Sequence, residues 1–330
     1  MGRIAESMKL EDFILQFSRL RLDKNREHWT AATTFRAPHK PLLLLSILDL
    51  FAQGSIQTNL IEVTPELGGL FADYWSKVFP ERRQGNLALP FFHLRSSPFW
   101  HLIPKDGQAN HLQNLGQIDS LSHLERAVIG AALDNELFEL LHTDEARSAL
   151  RSVLIQTYFA PELHQTLYAQ GITNLKAFQY GQQLITTPRR EVRDRAADEL
   201  QPAVRDQGFR RAIVQLYRHR CAFCGVRMMT PDGHSAVEAA HIIPWSISHN
   251  DDPRNGMALC RLCHWTFDEG LIGVSARYRV MLSGDLQTSL NRAGHLTTLE
   301  NRDILGPEDR DLWPDPDALK WHRQKVFRGT

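Results

Sequence analysis

Apolar residues recur at helical spacing through Leu10, Phe13, Ile14, Phe17 and Leu20, which predicts an opening helix over residues 9–24. The most apolar run, Leu42-Leu43-Leu44-Leu45-Ser46-Ile47-Leu48, falls short of the ~20 residues a bilayer span requires. It reads as a core helix opened by Pro41 and stopped at Gly54. Thr64-Pro65-Glu66 offers a capping hydroxyl followed by proline in the first turn, so a third helix should reach about Phe79. The period then changes. Leu89–Leu94 and Phe99–Ile103, separated by Arg95-Ser96-Ser97-Pro98, predict a short β-hairpin. Ser122 and Glu125 form a capping box for a further helix. Thr143 caps another, with Ala146, Leu150, Val153 and Leu154 on its apolar face, running to Tyr158.

Residues 165–205 are poorer in core positions and denser in charge, and 181–204 read as the interdomain linker. The organisation expected is therefore a domain over 1–165, a connecting helix and linker over 166–204, and a second domain over 205–330. The second opens with an amphipathic helix carrying Phe209, Ile213, Leu216 and Tyr217, and closes with one spanning Leu319 to Phe327. Trp245 and Trp265 read as core residues. The fold class is α+β, with a mostly α-helical first domain that includes the hairpin.

A length of 330 residues suits two domains, and 42% hydrophobic with 23% charged residues is the composition of an ordinary globular chain. The 38 basic and 38 acidic residues cancel. That excludes the strongly basic balance by which a non-specific DNA binder holds any duplex. The first residues lack the apolar core of a signal peptide, and the four cysteines show metal-type spacing, so a reducing cytoplasm is expected.

Those cysteines carry the most specific chemistry. Cys221-x-x-Cys224 and Cys260-x-x-Cys263 are two close pairs, which suit one tetrahedral Zn2+ with bonds of about 2.3 Å. An iron–sulfur group is the alternative. Four thiolates leave no open position, so such a zinc is structural. Between the pairs stand Glu238-Ala239-Ala240-His241-Ile242 and Asn255-Gly256, and His264 follows Cys263 directly. Histidine, asparagine and histidine in that order within a zinc-stapled unit resemble the HNH endonucleases, in their zinc-containing branch.

The resemblance implies a ββα-metal domain over about 205–330. It implies His241 as general base, Asn255 as the amide that ties the connecting loop, and His264 as a ligand of a catalytic Mg2+ or Mn2+. Many members carry Asp or His just before the base, and here that residue is Ala240. Phe267-Asp268-Glu269-Gly270-Leu271 keeps the D-x-G-L form of one subgroup, and Asp268 lies one helical turn beyond His264. Asp268 is thus the expected second ligand, with Glu238 as the other candidate.

In the first domain, Arg36-Ala37-Pro38-His39-Lys40-Pro41 and Leu87-Ala88-Leu89-Pro90-Phe91-Phe92-His93-Leu94-Arg95 together resemble the sulfur-binding domain of modification-dependent (type IV) restriction endonucleases. That family reads DNA bearing a phosphorothioate. Sulfur is larger and less hydrated than phosphate oxygen, so an apolar cup accepts it. An oxygen placed there would lose water without a replacement hydrogen bond, at ~2–7 kcal/mol. Leu89, Pro90 and Phe91, with His93, are the expected cup, and Arg36, His39 and Lys40 the expected cations. Pro90-Phe91-Phe92 as plain core is the competing reading. The chain is therefore expected to be a restriction endonuclease acting on phosphorothioate-modified double-stranded DNA, with no membrane association. Cutting both strands would call for a homodimer. The rivals are an HNH nuclease reading another mark, such as a methylated base, and a decayed zinc DNA-binding module.

Overall fold

The computed structural model describes residues 9–81, 87–118, 120–186, 201–230, 235–288 and 291–329. The chain divides into two compact units with the boundary between Leu175 and Lys176.

The first unit is a helical assembly with one β-ribbon. Helix α1 (Leu10–Ser18) is followed by α2 (His39–Ala52), α3 (Pro65–Val78) and the short α4 (Ala88–His93). Strand β1 (Trp100–Pro104), helices α5 (Ala109–Asn114) and α6 (Leu121–Ala127), and strand β2 (Val128–Leu133) come next. Helices α7 (Asn135–Leu140), α8 (Asp144–Tyr158) and α9 (Pro161–Thr186) complete the run. Helix α2 is buried along nearly its whole length, which is why its sequence is apolar on every face. Helices α3 and α8 pack on it. The expected hydroxyl caps are present: Thr64 Oγ1 accepts from Leu67 N at 3.2 Å, and Thr143 Oγ1 from Ala146 N at 3.3 Å.

Three local expectations change. The opening helix ends at Ser18, because the Tyr158 hydroxyl takes over the chain there, donating to Phe17 O (2.9 Å) and accepting from Leu20 N (2.8 Å). Residues 89–94 are helical. Strand β1 instead pairs antiparallel with the distant β2, from Trp100↔Leu133 to Pro104↔Val128. The capping serine of α6 is Ser120, accepting from His123 N, two residues ahead of the expected one.

A buried polar network crosses this unit. Arg151 donates to Asp49 Oδ1 (2.6 Å) and to the Tyr74 hydroxyl (2.7 Å), while Asn174 donates to Asp49 Oδ2 (2.6 Å). It fastens α2, α3, α8 and α9 to one another. Burial raises the Asp49 carboxyl above the usual carboxylate range, and the Arg151 guanidinium opposes that in part.

The second unit begins inside α9. Tyr180 and Leu184 belong to its core, so part of the expected connector is structural. Helix α9 meets α10 (Pro202–Leu216) at glycines: a Cβ on Gly208 would sit 2.8 Å from Ala177 O, and one on Gly181 3.0 Å from Gly208 O. Most of the expected linker, 187–200, lies outside the described residues. Strands β3 (Val237–His241) and β4 (Gly256–Cys260) form an antiparallel pair, with helix α11 (Trp245–Ser248) between them and α12 (Arg261–Asp268) following. A second ribbon, β5 (Ile272–Val274) with β6 (Val280–Leu282), and the closing α13 (Pro316–Lys325) pack beside them. The observed class is α+β, with a ββα unit at the heart of the second half. Among the described residues no helix is long and apolar enough to cross a membrane.

Candidate functional site

The four cysteines converge. Cys221 and Cys224 stand on a turn closed by Gly225 N donating to Cys221 O (2.9 Å), with Gly225 at φ 72°. Ala222 N donates to Ala258 O (2.8 Å), docking that turn on β4, whose end supplies Cys260, while α12 supplies Cys263. All four sulfurs lie within 4.8 Å of one another, and Cys224 Sγ is 3.8 Å from Cys260 Sγ. A tetrahedron with ~2.3 Å metal–sulfur bonds has edges of roughly 3.8 Å, so the thiols are already spaced for zinc. The set could hold a structural zinc that pins β4 and α12 to the chain arriving from α10.

His241 ends β3, directly opposite Gly256 in the ladder. Its ring lies flat against Phe209 of α10, with centroids 3.9 Å apart and an interplanar angle of 7°. Its Nε2 is 2.8 Å from Asp251 Oδ1. Asn255 is buried and uses its whole amide on the loop that joins β3 to β4. Its Oδ1 accepts from Ile243 N (2.9 Å), and its Nδ2 donates to Ile243 O and Asn250 O (both 3.0 Å). The loop is thereby tied at both ends.

His264 projects from α12 between two carboxylates. Asp268 Oδ2 lies 3.4 Å from its Nε2, and Glu238 Oε2 lies 3.4 Å from its Nδ1. A cleft of about 360 Å³ is lined by His241, Trp245, His264, Asp268 and His322 among others, and Glu238 is outside its lining. Burial in this cleft raises the Asp268 carboxyl, and His264 opposes that. Ala240 is 1% exposed and part of the core, so no carboxylate stands immediately before His241, and Asp268 is the carboxylate that lines the cleft. An imidazole nitrogen beside a carboxylate oxygen is a donor set that fits a divalent ion such as Mg2+ or Mn2+, with Glu238 placed to orient the other face of His264. His322 stacks on Phe267 at 3.7 Å and its Nε2 lies 3.0 Å from Phe267 O. Burial pushes its ring down to about 4, which makes it a neutral strut between α13 and α12.

Sequence reasoning missed Asp251 and Tyr180. The signal was thin: Asp251-Asp252 stand in the loop beside Asn255, and nothing in the spacing separates the inward carboxylate from its neighbour. Trp265, expected in the core, is 57% exposed because the inner face of α12 is taken by Cys263, Thr266 and Phe267.

In the first unit the two motifs meet. Lys40 Nζ donates to Arg21 O (2.8 Å) and to Ser96 Oγ (3.0 Å), just beyond α4. Lys40 and Arg95 both act on His93, whose ring is lowered first by burial and then by those charges. Leu89 is half-buried and His93 exposed on α4, and Pro90 is buried. Arg36 is half-buried, its guanidinium 5.9 Å over the Tyr158 ring.

Three of the expected roles shift. Phe91 is fully buried with its carbonyl taken by Trp100 Nε1 (3.0 Å), so it supports the surface from below. Lys40 is 8% exposed, and burial, then Arg21, lower its ammonium to about 8; it bridges the motifs with its charge directed inward. His39 sits between Trp29 (5.3 Å) and Trp75 (4.9 Å), and burial lowers it to about 4, so it is not a cation at neutral pH.

Comparison with known proteins agrees with both halves. Residues 11–173 match the family described as ScoMcrA-like, DNA sulfur-binding domain, and residues 221–275 match the HNH endonuclease family. No curated protein matches the chain. Among solved structures, one described as "Modification dependent TagI restriction endonuclease" is similar at 23% identity with a TM-score of 0.27. That likeness covers 36% of this chain and 37% of the other, so it spans well under half of either protein. The two matched segments thus make the first half of the chain similar to a ScoMcrA-like DNA sulfur-binding domain and the cysteine-stapled ββα unit similar to an HNH endonuclease domain.

Proposed function

We propose that this protein is a restriction endonuclease that recognises phosphorothioate-modified double-stranded DNA and hydrolyses phosphodiester bonds near the modification. One observation supports the reading: a segment matching the DNA sulfur-binding family stands in the same chain as an HNH-matching segment whose cleft is lined by His241, His264 and Asp268. In this reading the apolar surface around Leu89 and Pro90 receives the sulfur, and Arg36 supplies positive charge near the backbone, while Lys40 holds the two motifs together from within.

His241 takes a proton from water, whose oxygen attacks phosphorus as the bond to the 3′ oxygen breaks. The departing oxygen acquires a proton from solvent, leaving a 5′-phosphate and a 3′-hydroxyl. Asn255 holds the loop that presents the base. His264 and Asp268 would hold Mg2+ or Mn2+, which when bound supplies neutralisation of the charge that develops on the phosphate. The cysteine set would hold Zn2+ and take no part in the chemistry.

The test is cleavage of matched duplexes with and without one phosphorothioate, in Mg2+ and in Mn2+. Cutting confined to the modified duplex is expected. Equal cutting of both would remove the specificity, and selective cutting of methylated DNA would establish the rival mark.

A further inference from the structure

On the reading that His241 is the general base, we propose that Asp251 is its positioning residue, holding the imidazole as the Nε2–H tautomer so that Nδ1 takes the proton from water. Asp251 is 3% exposed, in the loop between β3 and β4. Its Oδ1 lies 2.8 Å from His241 Nε2, and its Oδ2 accepts the Tyr180 hydroxyl at 2.9 Å. Arg205 Nε is 3.9 Å from Oδ2. An ionised carboxylate can only accept, so the hydrogen shared with His241 belongs to Nε2, and the lone pair of the neutral ring is left on Nδ1.

The environment keeps the carboxylate in that role. Tyr180 from α9 and Arg205 from α10 both present hydrogens or positive charge to Oδ2, leaving Oδ1 for the base. Phe209 covers one face in parallel contact and fixes the plane of the ring, and the Asp251 contact selects the edge that faces the loop. The Asn255 amide holds Asn250 O, the carbonyl immediately before Asp251. Asn255 therefore reaches the base through Asp251 as well as through the strand end at Ile243. When His241 takes its proton, both ring nitrogens carry hydrogen, and the buried carboxylate stabilises that cation. A carboxylate in the same relation to histidine in serine proteases lowers turnover ~10⁴-fold when its charge is removed.

The test uses full-length, zinc-loaded protein and two readouts. In ¹⁵N-histidine-labelled wild type, the His241 ring, assigned by its loss in His241→Gln, should show protonated Nε2 and unprotonated Nδ1 at neutral pH. Asp251→Asn should mix the two tautomers and slow single-turnover cleavage by ~10²–10⁴, with KM and zinc content unchanged. Tyr180→Phe should give a smaller loss of the same kind. A wild-type ring protonated on Nδ1 overturns the proposal even if Asp251→Asn does not fold, and so does wild-type cleavage by a folded Asp251→Asn. Wild-type cleavage by His241→Ala would instead remove the base assignment and leave the tautomer result standing.

Discussion

On the proposed reading, the surroundings of His241 fit it to chemistry: one ring face lies on Phe209, one nitrogen faces Asp251, and the ring lines the cleft. Replacing His241 with Ala should lower single-turnover cleavage by ~10²–10⁴, the usual contribution of a general base, while zinc content and DNA affinity stay near wild type. A variant that cuts at the wild-type rate would remove His241 from the mechanism. His39 shows the opposite outcome, a histidine that packing has made apolar. Burial holds it near 4 against the usual 6.5. Below pH 6.5 the unfolded chain binds a proton that the folded site refuses. His39 therefore contributes nothing above that pH and lowers stability as the pH falls toward about 4. The loss should be ~1–3 kcal/mol, discounted for its partial exposure. Denaturant unfolding of wild type and His39→Phe at neutral pH and near 4.5 should show the smaller acid loss in the variant. Parallel pH dependence would mean that another group is responsible.

At the scale of elements, β4 and α12 share one anchor. Cys260 ends the strand, Cys263 lies in the first turn of the helix, and His264 and Asp268 follow on that helix. Metal bound at the sulfurs thus sets the direction in which α12 carries the cleft residues. Cys260→Ser should lose the zinc, about one ion per chain in wild type, and unfold the second unit, because binding energy at such a site is folding energy. The first unit has its own core and should survive. Metal analysis with circular dichroism would decide it. Full zinc retention by the variant, or an iron–sulfur chromophore in the wild type, would overturn the zinc assignment.

For the whole molecule, the 38 acidic residues offset the 38 basic ones, so ordinary duplex gains little from bulk attraction. On the proposed reading, discrimination comes from contacts that an unmodified backbone cannot satisfy. An oxygen stripped of water at an apolar surface costs ~2–7 kcal/mol, and even 2 kcal/mol is roughly 30-fold in Kd. Gel shifts with the His241→Ala chain at ~0.15 M salt should therefore show at least that ratio between phosphorothioated and unmodified duplexes. Equal affinities would end the phosphorothioate reading and leave the nuclease assignment intact.

The cysteine pairs were legible in the sequence because metal chemistry demands thiols at short spacings, whereas the His241–Asn255–His264 order and Asp268 were picked out through the resemblance to the HNH endonucleases. The apolar α2 and the Thr64 and Thr143 caps were legible as well, each being a local rule. What the sequence left open involved partners distant along the chain. Residues 89–94 satisfy strand and helix patterns alike, and the choice fell to β2, which occupies the edge of β1. Lys40 and His39 read as a cationic helix start until packing turned one toward Arg21 and Ser96 and enclosed the other between tryptophans. Asp251 and Asp252 are equivalent on paper. Only the meeting of α9, α10 and the β3–β4 loop decided that Asp251 faces His241, since a buried carboxylate is stable only where donors converge on it.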